Sequence, residues 1–389
     1  MQYSVDLTLE SATLVGDRRE PSGYFIPSRD FIPGSVLRAA LARAIREGCP
    51  YDTVNGSSNW VEFADGPLCS DCSWRGLCSN FGDLRFSHLY RDGARVAPLT
   101  AYRCKNDGRH PMFDTLLNSG APVCPECGGT GERVSGYLNG PNSTLDVDRH
   151  LLMRLEMDPY RQTAREGQLY ALRVLNRGQV FKGRLVSPTS FTGLPAELTL
   201  RLGAKTSVGL GRVKVRFEEE TTSKPDLLGD RIRRFQEKAR AARDSQDGET
   251  CYLSLTLLAD ALPERELKAS RERVSTEALK RQLLESILPP DSPLAGRLGE
   301  VLRVAADFEV YGGYCTAEHS CGRRRASLYV SAGSVFLCRM QGPLDDELLQ
   351  SLRSVEERGL GRRTEDGYGA VSVCDEFHLH TGGVAGEDK

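Results

Sequence analysis

Two glycine-rich loops at matching places constrain this chain of 389 residues more than any other feature. The first, GAKTSVGLGRVKV, holds Gly203, Gly209 and Gly211 beside Lys205, Arg212 and Lys214. The second runs from Gly359-Leu360-Gly361-Arg362-Arg363 through Gly367-Tyr368-Gly369. Each leads into a short apolar strand, Val213, Val215 and Phe217 after the first and Ala370–Val373 after the second. Each is also preceded by a helix candidate, Ala196–Leu202 and Asp345–Arg358; the latter has Leu348, Leu349, Leu352 and Val355 on one face and Gly359 at its end.

Further upstream, each half opens on an alternating strand. Tyr3, Val5, Leu7 and Leu9 form the first, and Leu253, Leu255 and Leu257 the second. A helix follows in both: Val36, Leu37, Ala40, Leu41, Ala44 and Ile45 after Gly34-Ser35, then Glu277–Leu288. Gln168–Leu175 and Gln179–Val186 read as a hairpin across Asn176-Arg177-Gly178, and Ser327–Val330 and Ser334–Met340 as strands. The pattern predicts an α+β chain of tandem ferredoxin-like (RRM-like) domains, with helices on one face of an antiparallel sheet. The expected boundaries are 1–217 for the first domain, with a cysteine-rich insertion at 49–147, and 251–380 for the second. Residues 218–250 read as a charged linker with one solvated helix around Arg231–Arg243, and 381–389 as a tail.

Six of the twelve cysteines crowd into one stretch of the insertion: Cys69, Cys72, Cys78, Cys104, Cys124 and Cys127. Cys69-x2-Cys72-x5-Cys78 and Cys124-Pro-Glu-Cys127-Gly-Gly are paired thiolate elements of the kind that hold tetrahedral zinc. The segment is poor in periodic structure, so a bound Zn2+ has a structural role there, its binding supplying folding free energy. Cys104, Cys124 and Cys127 form the core of this reading, completed by Cys78 or His110. Cys69 and Cys72 either complete a second site or lie free.

The N-terminus MQYSVDLTLE lacks the basic start and apolar centre of a secretory signal, and no run of 18 apolar residues exists. The expectation is a cytoplasmic protein without membrane association. The net charge of −2 conceals an asymmetry: residues 1–217 hold 27 Lys+Arg against 22 Asp+Glu, and the remainder is acidic. A basic half joined to an acidic one suits a chain that touches a polyanion on one side and proteins on the other.

Three segments offer phosphate contacts. Glycine loops bring backbone N–H groups close to an anion, with Lys205, Arg212, Arg362 and Arg363 alongside; the ordinary alternative is a helix cap and tight turn. Phe31-Ile32-Pro33-Gly34-Ser35 places Ser35 and free N–H groups at a helix start, with Arg38 one turn inside, or is simply a capped helix. The run Asp148-Arg149-His150 through Arg154, Arg161 and Arg165 is either an RNA contact strip or a solvated connection. The six histidines show no grouping for general acid–base work, which argues against a processing ribonuclease.

FIPGSVLRAAL and GAKTSVGLGRVKV resemble signatures of the CRISPR-associated RAMP superfamily. The run LRFSHLY…APLTAYRCKNDGRHPMFDTLLNSGAPVCPECGG, together with MDPYRQTAREGQLYALRV, SAGSVFLCRM and GLGRRTEDGYGAV, resembles more specifically the type III-D RAMP protein of the Csx-ten family, which is Cas-five-like. The resemblance spans about Gln2 to Val373; the Cys69/Cys72 pair departs from it. It implies a subunit of an RNA-guided antiviral effector complex that binds crRNA and caps its 5′ handle. It also implies contacts with other RAMP backbone subunits and the large signalling subunit, and with target RNA indirectly. Carried over by position, the RNA-binding residues are Ser35, Arg38, Arg149, Arg161, Lys205, Gly209, Gly211, Arg212, Arg362 and Arg363, with Arg149–Arg165 as a crRNA-facing hairpin. On this reading the chain is not an enzyme. The alternative is a metal-dependent endoribonuclease acting on target RNA, with Asp17 or Asp30 assisting a hydrated divalent ion.

Overall fold

The computed structural model describes residues 1–389 apart from 17–24, 52–60, 119, 141, 159, 221–226, 244–249, 266–274, 290–291, 315–322 and 381–389. In the first half, β1 (Gln2–Leu9) buries every second residue, so Tyr3, Val5, Leu7 and Leu9 face the core. Helix α1 (Gly34–Glu47) packs Leu37, Ala40, Leu41 and Ile45 onto the same core. A short helix α2 (Arg75–Asn80) then precedes two two-residue strands, β2 (Arg85–Phe86) and β3 (Tyr90–Arg91). The cysteine-rich segment contributes β4 (Ala101–Cys104), β5 (Phe113–Asp114) and β6 (Gly131–Arg133) as a small sheet of its own. Next come β7 (Arg149–Met157), β8 (Ala164–Leu175), β9 (Val180–Val186), β10 (Glu197–Arg201) and β11 (Arg212–Glu219).

The main sheet of this half has the order β10-β11-β1-β9-β2, with β3 also paired to β9. Two expectations change here. Ala196–Leu202 is not a helix: Leu198 and Leu200 alternate with polar residues, and the segment pairs antiparallel with β11 as an edge strand. So short an apolar run is ambiguous in sequence, and the open edge of β11 decides it. Nor do the segments flanking Asn176-Arg177-Gly178 pair with each other. β8 pairs with β7 from Arg149↔Leu175 to Leu155↔Leu169, forming a projecting arm, while β9 pairs with β1. Residues 85–91, expected inside the insertion, lie in the main sheet through β2 and β3.

Helix α3 (Leu227–Ala242) corrects a third expectation. It buries Leu228, Ile232, Phe235 and Ala239 in the core of the second half rather than standing free in a linker. It packs on β12 (Cys251–Leu257), buried at all seven positions. Helix α4 (Thr276–Ile287), β13 (Leu298–Ala305), the hairpin β14 (Phe308–Tyr314) and β15 (Arg323–Val330), β16 (Val335–Met340), α5 (Asp346–Arg358) and β17 (Val371–Val373) follow. The order β13-β16-β12-β17 places the first and third strands of a β-α-β-β-α-β unit at the centre of the sheet and the second and fourth at its edges. With β2, β9 and β11 as its second, third and fourth strands, the first half repeats this order, except that edge strand β10 stands where the second half has α5.

The halves interlock. Arg85 donates to the Arg358 carbonyl at 3.1 Å, and the Tyr90 hydroxyl to the Leu258 carbonyl at 2.8 Å. The cysteine-rich segment bridges them too: Leu116 sits in the core of the second half, and buried Asp114 meets buried His378 at 2.8 Å.

Candidate nucleic-acid interface and metal centre

The two glycine loops are copies bond by bond. Gly203, Lys205, Gly209 and Gly211 all have positive φ, as do Gly361, Arg363, Gly367 and Gly369 at one constant offset along the chain. A single 3₁₀ turn, Thr206–Val208 or Thr364–Asp366, follows the left-handed cation in each. Ala204 N–H donates to the Leu14 carbonyl and Arg362 N–H to the Leu262 carbonyl, both at 2.8 Å. The closing bonds are Leu202 to Gly211 and Leu360 to Gly369. The close approach explains the glycines at these crossings. A Cβ on Gly211 would lie 2.0 Å from the Leu202 carbonyl oxygen, and one on Gly369 1.7 Å from that of Leu360.

Their surroundings differ. The second loop is wedged against the first half, where Arg38 reaches Asp366 at 3.7 Å and Gly34 packs so tightly that a Cβ would lie 2.6 Å from the Asp366 carbonyl oxygen. Arg363 pairs with Asp366 at 2.7 Å and lies over the Tyr368 ring; Arg362 donates to the Pro263 carbonyl at 2.9 Å. The first loop is open: Gly203, Ala204, Lys205, Ser207, Val208 and Gly209 are exposed, and nothing stands within 4 Å of a Cβ at Gly209. Lys205 Nζ sits 5.5 Å from the Tyr170 ring centre, and Arg212 pairs with Glu10 at 2.8 Å.

The first loop and α1 both line a cleft of about 630 Å³. Helix α1 contributes Ser35, Ala39 and Arg43, the end of β10 and the first loop contribute Arg201, Gly203 and Thr206, and Arg29 and Tyr368 also line it. No carboxylate is among the described lining residues, although Arg43 pairs with Glu47, which does not line the cleft, at 2.7 Å. Such a cleft attracts a phosphate backbone. Arg29, Arg43 and Arg201 were not predicted: single arginines in separate elements give no local signal until the fold gathers them.

Other expected positions are engaged internally. The first N–H of α1 is occupied: Gly34 donates to Nδ1 of buried His88 at 3.1 Å. Arg38 lies over Phe81 as well as pairing with Asp366, so it faces the junction of the halves. Arg149 at the base of the arm pairs with Asp30 at 2.5 Å, bringing a predicted RNA contact onto the predicted alternative catalytic carboxylate. Arg161 is exposed at the arm's tip, its backbone N–H donating to Asp158. Asp17 lies outside the described residues.

At the metal centre, Cys104 ends β4, and Cys124 and Cys127 sit on the turn before β6. Their donor atoms and that of His110 all lie within 4.8 Å of one another; no other cluster of three or more among the described residues is so tight. With Zn–S near 2.3 Å and Zn–N near 2.0–2.1 Å, a tetrahedral site has S···S edges of about 3.8 Å and S···N edges of about 3.6 Å. Here Cys104 Sγ to Cys127 Sγ and Cys124 Sγ to His110 Nδ1 are each 3.5 Å. The turn depends on Gly128 at φ +68° and Gly129, whose Cβ would strike Asn106 at 2.3 Å. The Asp107 N–H, aided by the His110 ring, pulls the Cys104 thiol down to about 6 against the effect of burial, which favours the thiolate that metals bind. The site therefore fits a metal such as zinc, and His110, rather than Cys78, completes the group of four donors. Cys69, Cys72 and Cys78 lie elsewhere, beside the end of α1.

No family model matches the chain, and no curated protein matches it. Among solved structures, it is 12% identical to a chain of the type III-B Cmr-beta complex bound to cognate target RNA and AMPPnP, over 86% of both chains, at a TM-score of 0.40. A chain of the Cmr-beta apo state is 11% identical over 57% of this chain and 98% of its own length (TM-score 0.31). A chain of a type IV-B CRISPR complex is 13% identical over 58% and 93% (TM-score 0.27). No helix among the described residues is long and apolar enough to cross a membrane.

Proposed function

We propose that this chain is an RNA-binding subunit of a type III-D CRISPR effector complex, built on two ferredoxin-like units, which holds crRNA at its first glycine loop and caps the 5′ handle. The observation that carries this reading is the contrast between two loops of one conformation. One is sealed against the first half; the other opens on a cleft lined by Arg29, Arg43 and Arg201, with no carboxylate among the described lining residues. On this reading Lys205, Arg201 and the loop N–H groups take phosphates, while Ser35 supplies a hydroxyl from α1. The zinc is structural: it holds a segment that docks on both halves. The arm β7–β8 presents Leu151, Met153, Leu155 and Met157 half-exposed along one face, a surface suited to other RAMP backbone subunits or the large signalling subunit. The endoribonuclease alternative draws little support, because Asp30 is held by Arg149.

The test is ultraviolet crosslinking in the native host followed by sequencing of the attached RNA. Crosslinks concentrated on the crRNA 5′ handle, and abolished when Lys205 and Arg201 are replaced by alanine, are expected. Crosslinks spread over spacer or target sequence would move the chain to a backbone position.

A further inference from the structure

A second group of cysteines stands apart from the first. Cys49, Cys69, Cys72 and Cys78 line one cavity of about 20 Å³, room for a single ion-sized sphere. Each arrives from a different local device. Cys49 follows Gly48, the residue that ends α1. Cys69 closes a 3₁₀ turn begun at Pro67, and the Cys72 N–H donates back to the Cys69 carbonyl at 3.3 Å. Cys78 lies in α2, its N–H bonded to the Trp74 carbonyl at 2.7 Å. All four are half-buried and in no disulfide.

We infer that Cys49, Cys69, Cys72 and Cys78 form a second structural zinc site, independent of the Cys104 cluster. Four thiolates with a Cys-x2-Cys pair are the donor set of a closed tetrahedral zinc site, and soft sulfur ligands select against Mg2+ and Ca2+. Their sulfurs do not close to the 4.8 Å spacing of the first cluster, so binding would draw them together. The rest of the wall is mostly apolar, with Ile45, Phe63, Leu68 and Trp74; Glu62 and Arg75 are its charged members. Apolar neighbours of this kind shield thiolate–metal bonds in part, although Phe63 and Leu68 are themselves exposed. The ion clamps the C-terminal end of α1 to the start of the cysteine-rich segment, two parts of the chain otherwise joined through residues 50–66. The first cluster lies wholly within the segment and joins Cys104 at the end of β4 to the Cys124–Cys127 turn. Cys49 has no cysteine neighbour in sequence, and only the fold shows its membership. The inference does not depend on the RNA-binding reading.

The experiment is elemental analysis of the full-length chain purified under reducing conditions in zinc-supplemented medium, with zinc-edge X-ray absorption. Two zinc ions per chain are expected. Cys49→Ser should leave one, bound by three sulfurs and one imidazole; Cys124→Ser should also leave one, bound by sulfur alone. One zinc per wild-type chain, or two retained in Cys49→Ser, overturns the inference, as does a mass deficit showing a disulfide within this group. If neither variant folds, the wild-type stoichiometry decides: two ions uphold the second site and one rejects it.

Discussion

Gly34 and His88 are joined by a hydrogen bond in which the first backbone N–H of α1 donates to Nδ1 of a fully buried imidazole at 3.1 Å. The bond requires Nδ1 to be unprotonated, so the proton sits on Nε2, which has no partner among the described residues. Burial, reinforced by the charges of Arg29 and Arg363, pushes His88 down to about 3. His88 also stacks on Phe31 and meets Tyr368 edge-on, so this one ring joins the start of α1 to the second glycine loop. A helix N-terminus that reads in sequence as an anion site is thereby used to hold the two halves together.

A pH prediction follows from that ring. The folded state keeps His88 neutral, while the unfolded chain protonates it near 6.5. Its contribution is therefore fully present above pH 6.5 and fades as pH falls toward 3, at about 1.4 kcal/mol per pH unit. Between pH 6.5 and 5 the wild type should lose about 2 kcal/mol from this source. His88→Gln, which can still accept from Gly34, should show a flatter decline in denaturant titrations across that range. An unchanged slope would assign the acid sensitivity elsewhere.

Glycine substitutions separate conformational strain from collision. Gly209→Ala places a methyl in open space at φ +90°, and a loss of about 1 kcal/mol is expected from the left-handed backbone alone. Gly211→Ala adds a collision 2.0 Å from the Leu202 carbonyl oxygen and should cost several times more. Thermal unfolding of both variants measures the difference; equal destabilisation would contradict the packing described.

Removal of the first zinc should be local before it is global. Cys124→Ser, or chelation with a strong zinc ligand, should expose the segment from 101 to 133 to protease while leaving the β1 sheet protected. Because Asp114 and Leu116 dock on the second half, a fall in overall melting temperature is also expected. Protection of residues 101–133 after complete zinc removal would show that the metal does not hold the segment.

The two loops predict opposite phenotypes at equivalent positions. Lys205→Ala should weaken RNA binding and lower the slope of log affinity against log salt by roughly 0.7–0.9 for each phosphate it no longer neutralises, with little change in stability. Arg363→Ala removes the partner of Asp366 at the junction of the halves and should reduce stability instead. Filter binding over a salt series together with denaturation curves distinguishes them. Lys205→Ala with unaltered salt dependence would count against RNA binding at the first loop.

Sequence alone determined the α+β class, the opening strand and helix of each half and the paired glycine loops, because alternation, helical spacing and positive-φ glycines are local signals with local causes. It also located the thiolate turn at Cys124 and Cys127, whose spacing is dictated by one ion. Tertiary structure decided what adjacency in the chain does not encode. Leu198 and Leu200 became an edge strand because β11 had an open side, and Ile232 and Phe235 were buried because β12 needed a cover. The fold chose His110 over Cys78 as the neighbour of Cys104, Cys124 and Cys127, and it brought Cys49 beside Cys69, Cys72 and Cys78. The two glycine loops have the same conformation, yet one is shut against Gly34 and His88 and the other faces solvent. Backbone geometry follows from nearby residues, whereas exposure depends on what the rest of the chain packs against each loop, and for that reason copies of one conformation differ in accessibility.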